Sequence, residues 1–169
     1  HNTPVAMYLD DLYKWVQTTG GAGKPFLITE VGAGAIYGYR TPAKVKWSEE
    51  YQVQALEEQL GAILSYKDCS GVYIWQFCDV RVTNDWWNTR PRTMNNKGIV
   101  DEYRRPKLSY ETVKRECAPL YISSIKAVNT DEKTSGVEIV IANKNALPCY
   151  EAKGYHLACL LYTSPSPRD

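Results

Sequence analysis

Glu30 closes a short apolar run, Phe26-Leu27-Ile28-Thr29, and is followed by Val31-Gly32. A carboxylate at the end of a buried strand is costly unless it is hydrogen-bonded or paired. Two roles fit it: a structural glutamate that accepts from nearby backbone or pairs with an arginine, or a reactive carboxylate. A second group lies further on, in Asn95-Asn96-Lys97-Gly98. Lys97 offers a point charge for a substrate carboxylate, and the Asn95 amide can donate beside it. Arg90 and Arg92 lie just upstream and can add positive charge, although the same residues also fit a solvated basic loop. Trp75 ends another apolar run and suits either a platform for the apolar face of a sugar or a core position. Trp86 and Trp87 are adjacent, so they point apart, with one of them able to line a cleft rim. The two histidines, His1 and His156, support neither a histidine-based metal cluster nor a catalytic triad.

These groups need elements to hold them. Residues 7–18 carry Leu9, Leu12, Tyr13 and Val16 at helical spacing, and Gly20-Gly21 stops that helix. The run 26–29 after Pro25 reads as a strand buried on both faces. Gly32, Gly34 and Gly38 mark a loop. Ser48 is then an N-cap, with Glu49 and Glu50 in a first turn that favours negative charge. This second helix is expected to reach about residue 66, with Val53, Leu56, Leu60 and Leu64 on one face. Residues 72–77 read as a second buried strand, 78–100 as a long polar loop, and 107–116 as a helix with Leu108, Tyr110 and Val113 as apolar positions.

Alternation of helix and strand argues for a parallel α/β sheet or barrel, and two strands cannot close a barrel of eight. After Pro119 the pattern changes. Residues 122–128 and 137–142 read as strands, and Tyr155-His156-Leu157 as the start of a third. The expected fold class is therefore α/β: over residues 1–118 the C-terminal portion of a (β/α)8 TIM barrel, then over 119–158 the opening of a truncated immunoglobulin-like β-sandwich. Residues 159–169 change character abruptly and read as a non-native tail.

Composition narrows the partners. The chain has 169 residues, 44% apolar and 23% charged, which is ordinary for a globular protein. A net charge of +1 gives no reason to expect nucleic acid, and no run of roughly 18 apolar residues predicts a membrane span. Thirteen tyrosines and five tryptophans against two phenylalanines suit half-wet clefts such as carbohydrate sites, and equally a tyrosine-rich core rim. Five cysteines at irregular spacing read as reduced thiols, hence an expected cytoplasmic setting. The chain begins at His1 without an initiator methionine, which leaves an upstream signal peptide open.

Five blocks in this order resemble the β-glucuronidases of glycoside hydrolase family 2. They are Ile28-Thr29-Glu30-Val31-Gly32, Trp47-Ser48-Glu49-Glu50-Tyr51-Gln52, Ile74-Trp75-Gln76-Phe77-Cys78-Asp79, Asn95-Asn96-Lys97-Gly98-Ile99 and Arg104-Arg105-Pro106-Lys107. The resemblance covers about residues 4–117. It implies that Glu30 is the catalytic nucleophile, that Asn95 and Lys97 recognise a glucuronate carboxylate, and that Trp75 belongs to the active-site wall. It also implies an assisting arginine near Asn95 and Lys97; Arg90 and Arg92 stand there, with spacing that differs by at least one residue. The family's acid/base sits in an Asn-Glu pair, which occurs nowhere in this chain, so the resemblance places that group outside it.

The implied reaction is hydrolysis of terminal β-D-glucuronides with retention, through a covalent glycosyl-enzyme, and the chain alone is expected to be inactive. No metal or cofactor is implied. The implied partner is a glucuronide conjugate or a glucuronic-acid-containing glycan, and the enzyme as a whole is expected to be a homo-oligomer. Two alternatives remain: another family 2 activity (β-galacturonidase, β-galactosidase or β-mannosidase), or a non-catalytic carbohydrate-binding module.

Overall fold

A computed structural model describes residues 5–82, 90–129, 135–143 and 153–158. The elements in chain order are α1 (Val5–Val16), β1 (Phe26–Val31), α2 (Glu49–Leu64), β2 (Cys69–Ile74), β3 (Val80–Arg81), β4 (Met94–Asn95), α3 (Leu108–Glu116), β5 (Leu120–Asn129) and β6 (Ser135–Asn143). β1 and β2 pair in parallel, with α2 as the crossover between them. Helix α1 ends in a widened turn over Gln17–Gly21, where Gly20 takes φ +95°, a conformation that suits glycine.

The helix-facing side of the β1–β2 sheet is packed. Phe26 and Cys69 are buried with Leu9 of α1 and Ile63 of α2, and Tyr13 meets Phe26 edge-on. A second cluster joins Leu56, Leu60 and Leu64 of α2 to Ile99 and Val100, with Tyr110 and Val113 of α3 against it. Helical spacing therefore identifies the faces of α1 and α2 correctly. Leu108 is an exception: it starts α3 but points to solvent, and the buried positions there include Ser109 and Thr112.

The strands differ from expectation. They are not buried on both faces, because Leu27, Thr29 and Tyr73 are exposed. The reason is alternation: Phe26, Ile28 and Val72 face the helices, and among the described residues nothing covers the opposite side. The long loop 78–100 also has more order than its polarity suggests. β3 and β4 pair antiparallel, with Val80 opposite Asn95 and Arg81 opposite Met94. Trp86, Trp87 and Asp85 lie outside the described residues.

Beyond α3, β5 and β6 form an antiparallel hairpin with Leu120 opposite Asn143 and Asn129 opposite Ser135. The two expected strands are present, each longer than its apolar run. Tyr155, His156 and Leu157 do not form a third strand: they lie as irregular chain and share a small cavity with Tyr121, Ile122 and Ile141. The described residues thus form a mixed α/β structure with three two-stranded sheets. No helix among them is long and apolar enough to cross a membrane.

Candidate active site

Glu30 sits one residue before the end of β1 and is more than half exposed, at 57% of its side chain. The next glycine explains how the chain leaves the strand. A Cβ on Gly32 would collide with the carbonyl oxygen of Trp75, so only glycine lets the two strand ends run this close. The Trp75 N–H donates to the Val31 carbonyl at 2.7 Å across the same point, and the Trp75–Gln76 peptide is cis.

Lys97 comes to Glu30 from the loop after β4, with 3.7 Å between Nζ and Oε1. Both groups keep access to water, so the pair itself adds little stability, about 0–1 kcal/mol by analogy with exposed pairs. Such a loose pair is easily exchanged for contacts with a ligand. Glu30 and Lys97 line one cavity of about 590 Å³ that runs along β1 and is otherwise mostly apolar, with Leu9, Leu12, Leu27 and Ile63 in its wall. Among the described residues lining it, Glu30 is the only carboxylate.

Lys97 also borders a second cavity of about 510 Å³, whose wall holds Arg90, Lys46, Trp47 and Tyr51. Three cations thus surround a space next to Glu30. Lys46 lies over the Trp47 ring at 5.5 Å. Neither Lys46 nor the two rings were singled out as binding groups by residue type, because each stands in a stretch whose other features point to a helix start.

Asn95 is buried in β4, and its side-chain oxygen accepts from the Lys97 N–H at 3.3 Å. Its amide nitrogen is the end left to donate to a ligand. Arg92 does not join the group: it pairs with Glu102 at 2.8 Å and lines neither cavity. Trp75 lines neither cavity either, and its ring is partly exposed. Of the six residues chosen from sequence, the structure brings Glu30 and Lys97 to one cavity and Arg90 to the neighbouring cavity that Lys97 also borders, while Asn95, bonded to the Lys97 backbone, lines neither cavity, as is true of Arg92 and Trp75.

Several buried groups behind the site escape a search by chemistry. The Gln52 side-chain amide donates to the carbonyls of Ala33 at 2.8 Å and Gly98 at 3.0 Å, and its oxygen accepts from the Ser109 hydroxyl at 2.8 Å. Glu49 accepts from the Gly38 N–H at 2.7 Å and from the Leu108 N–H at 2.6 Å, which caps the start of α3. Lys107 and Asp79 form a buried ion pair at 2.8 Å. Burial raises the Asp79 carboxyl pKa and lowers that of Lys107, against their mutual attraction. Asp101 is also buried; burial raises its pKa, but bonds from the Arg105 side chain and from the Arg105 and Tyr103 N–H groups outweigh it and leave the carboxyl below its usual range.

No family model matches the chain. Solved structures do. A GH2 β-galacturonidase from Eisenbergiella tayi, bound to galacturonate, is 74% identical with a TM-score of 0.65, over 69% of this chain and 21% of that one. A β-glucuronidase from an uncultured Clostridium sp. is 32% identical with a TM-score of 0.56, over 66% of this chain and 19% of that one. Both are glycosidases, and the galacturonidase is one of family GH2. Curated proteins give the same picture at lower coverage. Beta-mannosidase B of Thermothelomyces thermophilus is 37% identical over 86 residues, 44% of this chain and 9% of its own length. A beta-glucuronidase of Paenibacillus borealis is 31% identical over 85 residues, 50% of this chain and 14% of its own. The chain thus spans about a fifth of the solved relatives it matches, and less of the curated ones.

Proposed function

We propose that this chain is the nucleophile-bearing and carboxylate-recognising part of a retaining β-hexuronidase. The single observation that carries this reading is the 3.7 Å approach of Lys97 to Glu30. One sugar ring can touch both: its carboxylate at Lys97 and the Asn95 amide, its anomeric carbon at Glu30. The substrate carboxylate then replaces Glu30 as the partner of Lys97, and the freed Glu30 carboxylate attacks. Attack forms the bond from Glu30 oxygen to the anomeric carbon and breaks the bond to the leaving oxygen, which an acid protonates. Water later reverses the sequence. The acid/base stands roughly 5 Å from a retaining nucleophile, and it is assigned to a part of the enzyme beyond this chain. Residues 1–118 are then the last part of a (β/α)8 barrel, where catalytic groups stand at the C-terminal ends of strands, and 119–158 begin a β-sandwich.

The expected substrate was a glucuronide. The 74% identity to a galacturonidase favours a β-galacturonide instead, and the two sugars differ at one hydroxyl. The cationic wall of Lys97, Lys46 and Arg90 serves either uronate and does not serve neutral sugars. Glu30→Gln in the full-length enzyme should remove turnover of aryl β-galacturonide and β-glucuronide by at least a thousandfold, with an unchanged far-ultraviolet circular dichroism spectrum. Near-normal rates on both would remove Glu30 from the mechanism. The ratio of the wild-type rates on the two uronides decides between them.

A further inference from the structure

The block Arg104-Arg105-Pro106-Lys107 has no part in the mechanism above, yet Lys107 is among the largest fully buried side chains in the protein. Burying an ammonium is expensive unless every proton finds an acceptor. Lys107 meets that condition with three acceptors: the Ala35 carbonyl at 2.6 Å, Asp79 Oδ1 at 2.8 Å and the Asn96 carbonyl at 3.1 Å. The same Asp79 oxygen also accepts from the Gly98 N–H at 2.8 Å.

The placement of these bonds is specific. Asn96 precedes Lys97 and Gly98 follows it. The ion pair therefore holds the peptide on each side of Lys97, one through a carbonyl and one through an N–H. Gly98 has to be glycine, since a Cβ would strike the backbone of Cys78, Asp79 and Val100. The third acceptor, Ala35, lies in the loop that leaves β1 after Glu30, and its N–H donates to the same Asn96 carbonyl at 2.9 Å. A single ammonium thus ties the loop that follows Glu30 to the loop that carries Lys97.

We propose that Lys107 and Asp79 are positioning residues for substrate recognition: as a buried ion pair they hold the backbone on both sides of Lys97, and so fix its ammonium where it meets the carboxylate of a uronide. Neither group touches the substrate, and both act through Lys97. A stabilising role alone is already available from apolar contacts at lower cost, since a buried ion pair is often matched or exceeded by a well-packed apolar replacement. The pair is suited to something apolar packing does not supply: three directed bonds to two loops at once. The inference rests on Lys97 as the carboxylate-binding group.

The test is a mutant cycle in the full-length enzyme, read as the ratio of kcat/KM on an aryl β-galacturonide to that on the matched aryl β-galactoside. Lys97→Ala should lower this ratio about 10- to 100-fold, the scale of a lost hydrogen bond to a charged group. Lys107→Met should lower it at least about tenfold, mainly through KM for the uronide. The double variant should fall no further than Lys97→Ala alone, because Lys107 acts only through Lys97. Equal losses on both glycosides in Lys107→Met, or additive losses in the double variant, would overturn the positioning role and leave the uronidase reading intact. An unchanged ratio in Lys97→Ala would instead overturn that reading. If Lys107→Met does not fold, Asp79→Asn carries the same comparison, and the same outcomes decide.

Discussion

A carboxylate and an ammonium at 3.7 Å, both partly wet, are poised rather than locked. That looseness is what a binding site needs, since a fully buried pair cannot exchange partners cheaply. On the proposed reading, the consequence at the residue scale is a selectivity carried by Lys97. A neutral galactoside leaves the Lys97 ammonium without its substrate partner in a partly closed cavity. Lys97→Ala should therefore cost uronide cleavage roughly ten- to a hundredfold while costing galactoside cleavage much less. Steady-state kinetics on matched aryl glycosides measures this, and equal losses on both would mean that Lys97 does not read the carboxylate. The chemistry of Glu30, Asn95 and Lys97 shows in their residue types, and that of Glu30 also in its place after an apolar run, but the approach of Lys97 to Glu30 shows only in the fold. Arg92 pairs with Glu102 in the fold, and a partner ten residues away leaves no local signal in the sequence. Lys107 and Asp79 were legible only as members of blocks, because their burial is decided by contacts among segments far apart in sequence, at Ala35, Asp79, Asn96–Gly98 and Lys107.

At the scale of elements, the helices were readable and the short ladders were not. Leu9, Leu56, Leu60 and Leu64 recur at helical spacing and are buried as that spacing demands. Ser48 caps α2, accepting from the Tyr51 N–H at 3.2 Å. β3 and β4 have two residues each, too few for any period to show. The sheet was expected to be covered on both sides because an apolar run reports burial without saying what does the burying. What joins the elements is polar. Gln52 of α2 bridges the loop after β1, the loop after β4 and Ser109 of α3 in one buried amide. Gln52→Leu keeps the apolar volume but leaves two carbonyls and a hydroxyl without that partner. Each such loss costs about 1–3 kcal/mol, so the variant should unfold at a urea midpoint corresponding to at least about 3 kcal/mol less stability. A loss under about 1 kcal/mol would show that these loops hold their places without α2.

For the whole molecule, the informative feature is where apolar surface faces water. Scattered exposed apolar residues are normal, but contiguous patches mark surfaces meant for cover. Two such surfaces exist here. Leu27 and Tyr73 share the uncovered side of the β1–β2 sheet, with Trp75 and Phe77 exposed just beyond the end of β2. Ile122, Ile125, Val137 and Ile141 are exposed on the β5–β6 hairpin. A lone two-stranded hairpin is marginal in water at best, and parallel strands occur almost only where both faces of their sheet are covered. The 169-residue chain studied by itself should therefore bind a hydrophobic dye such as ANS and self-associate at micromolar concentration, which sedimentation velocity would register as concentration-dependent species. The same preparation should not hydrolyse an aryl uronide, since among the described residues no second carboxylate shares the cavity with Glu30. A monomer that binds no dye would mean that these faces need no cover. Turnover sensitive to Glu30→Gln would place the acid within the chain.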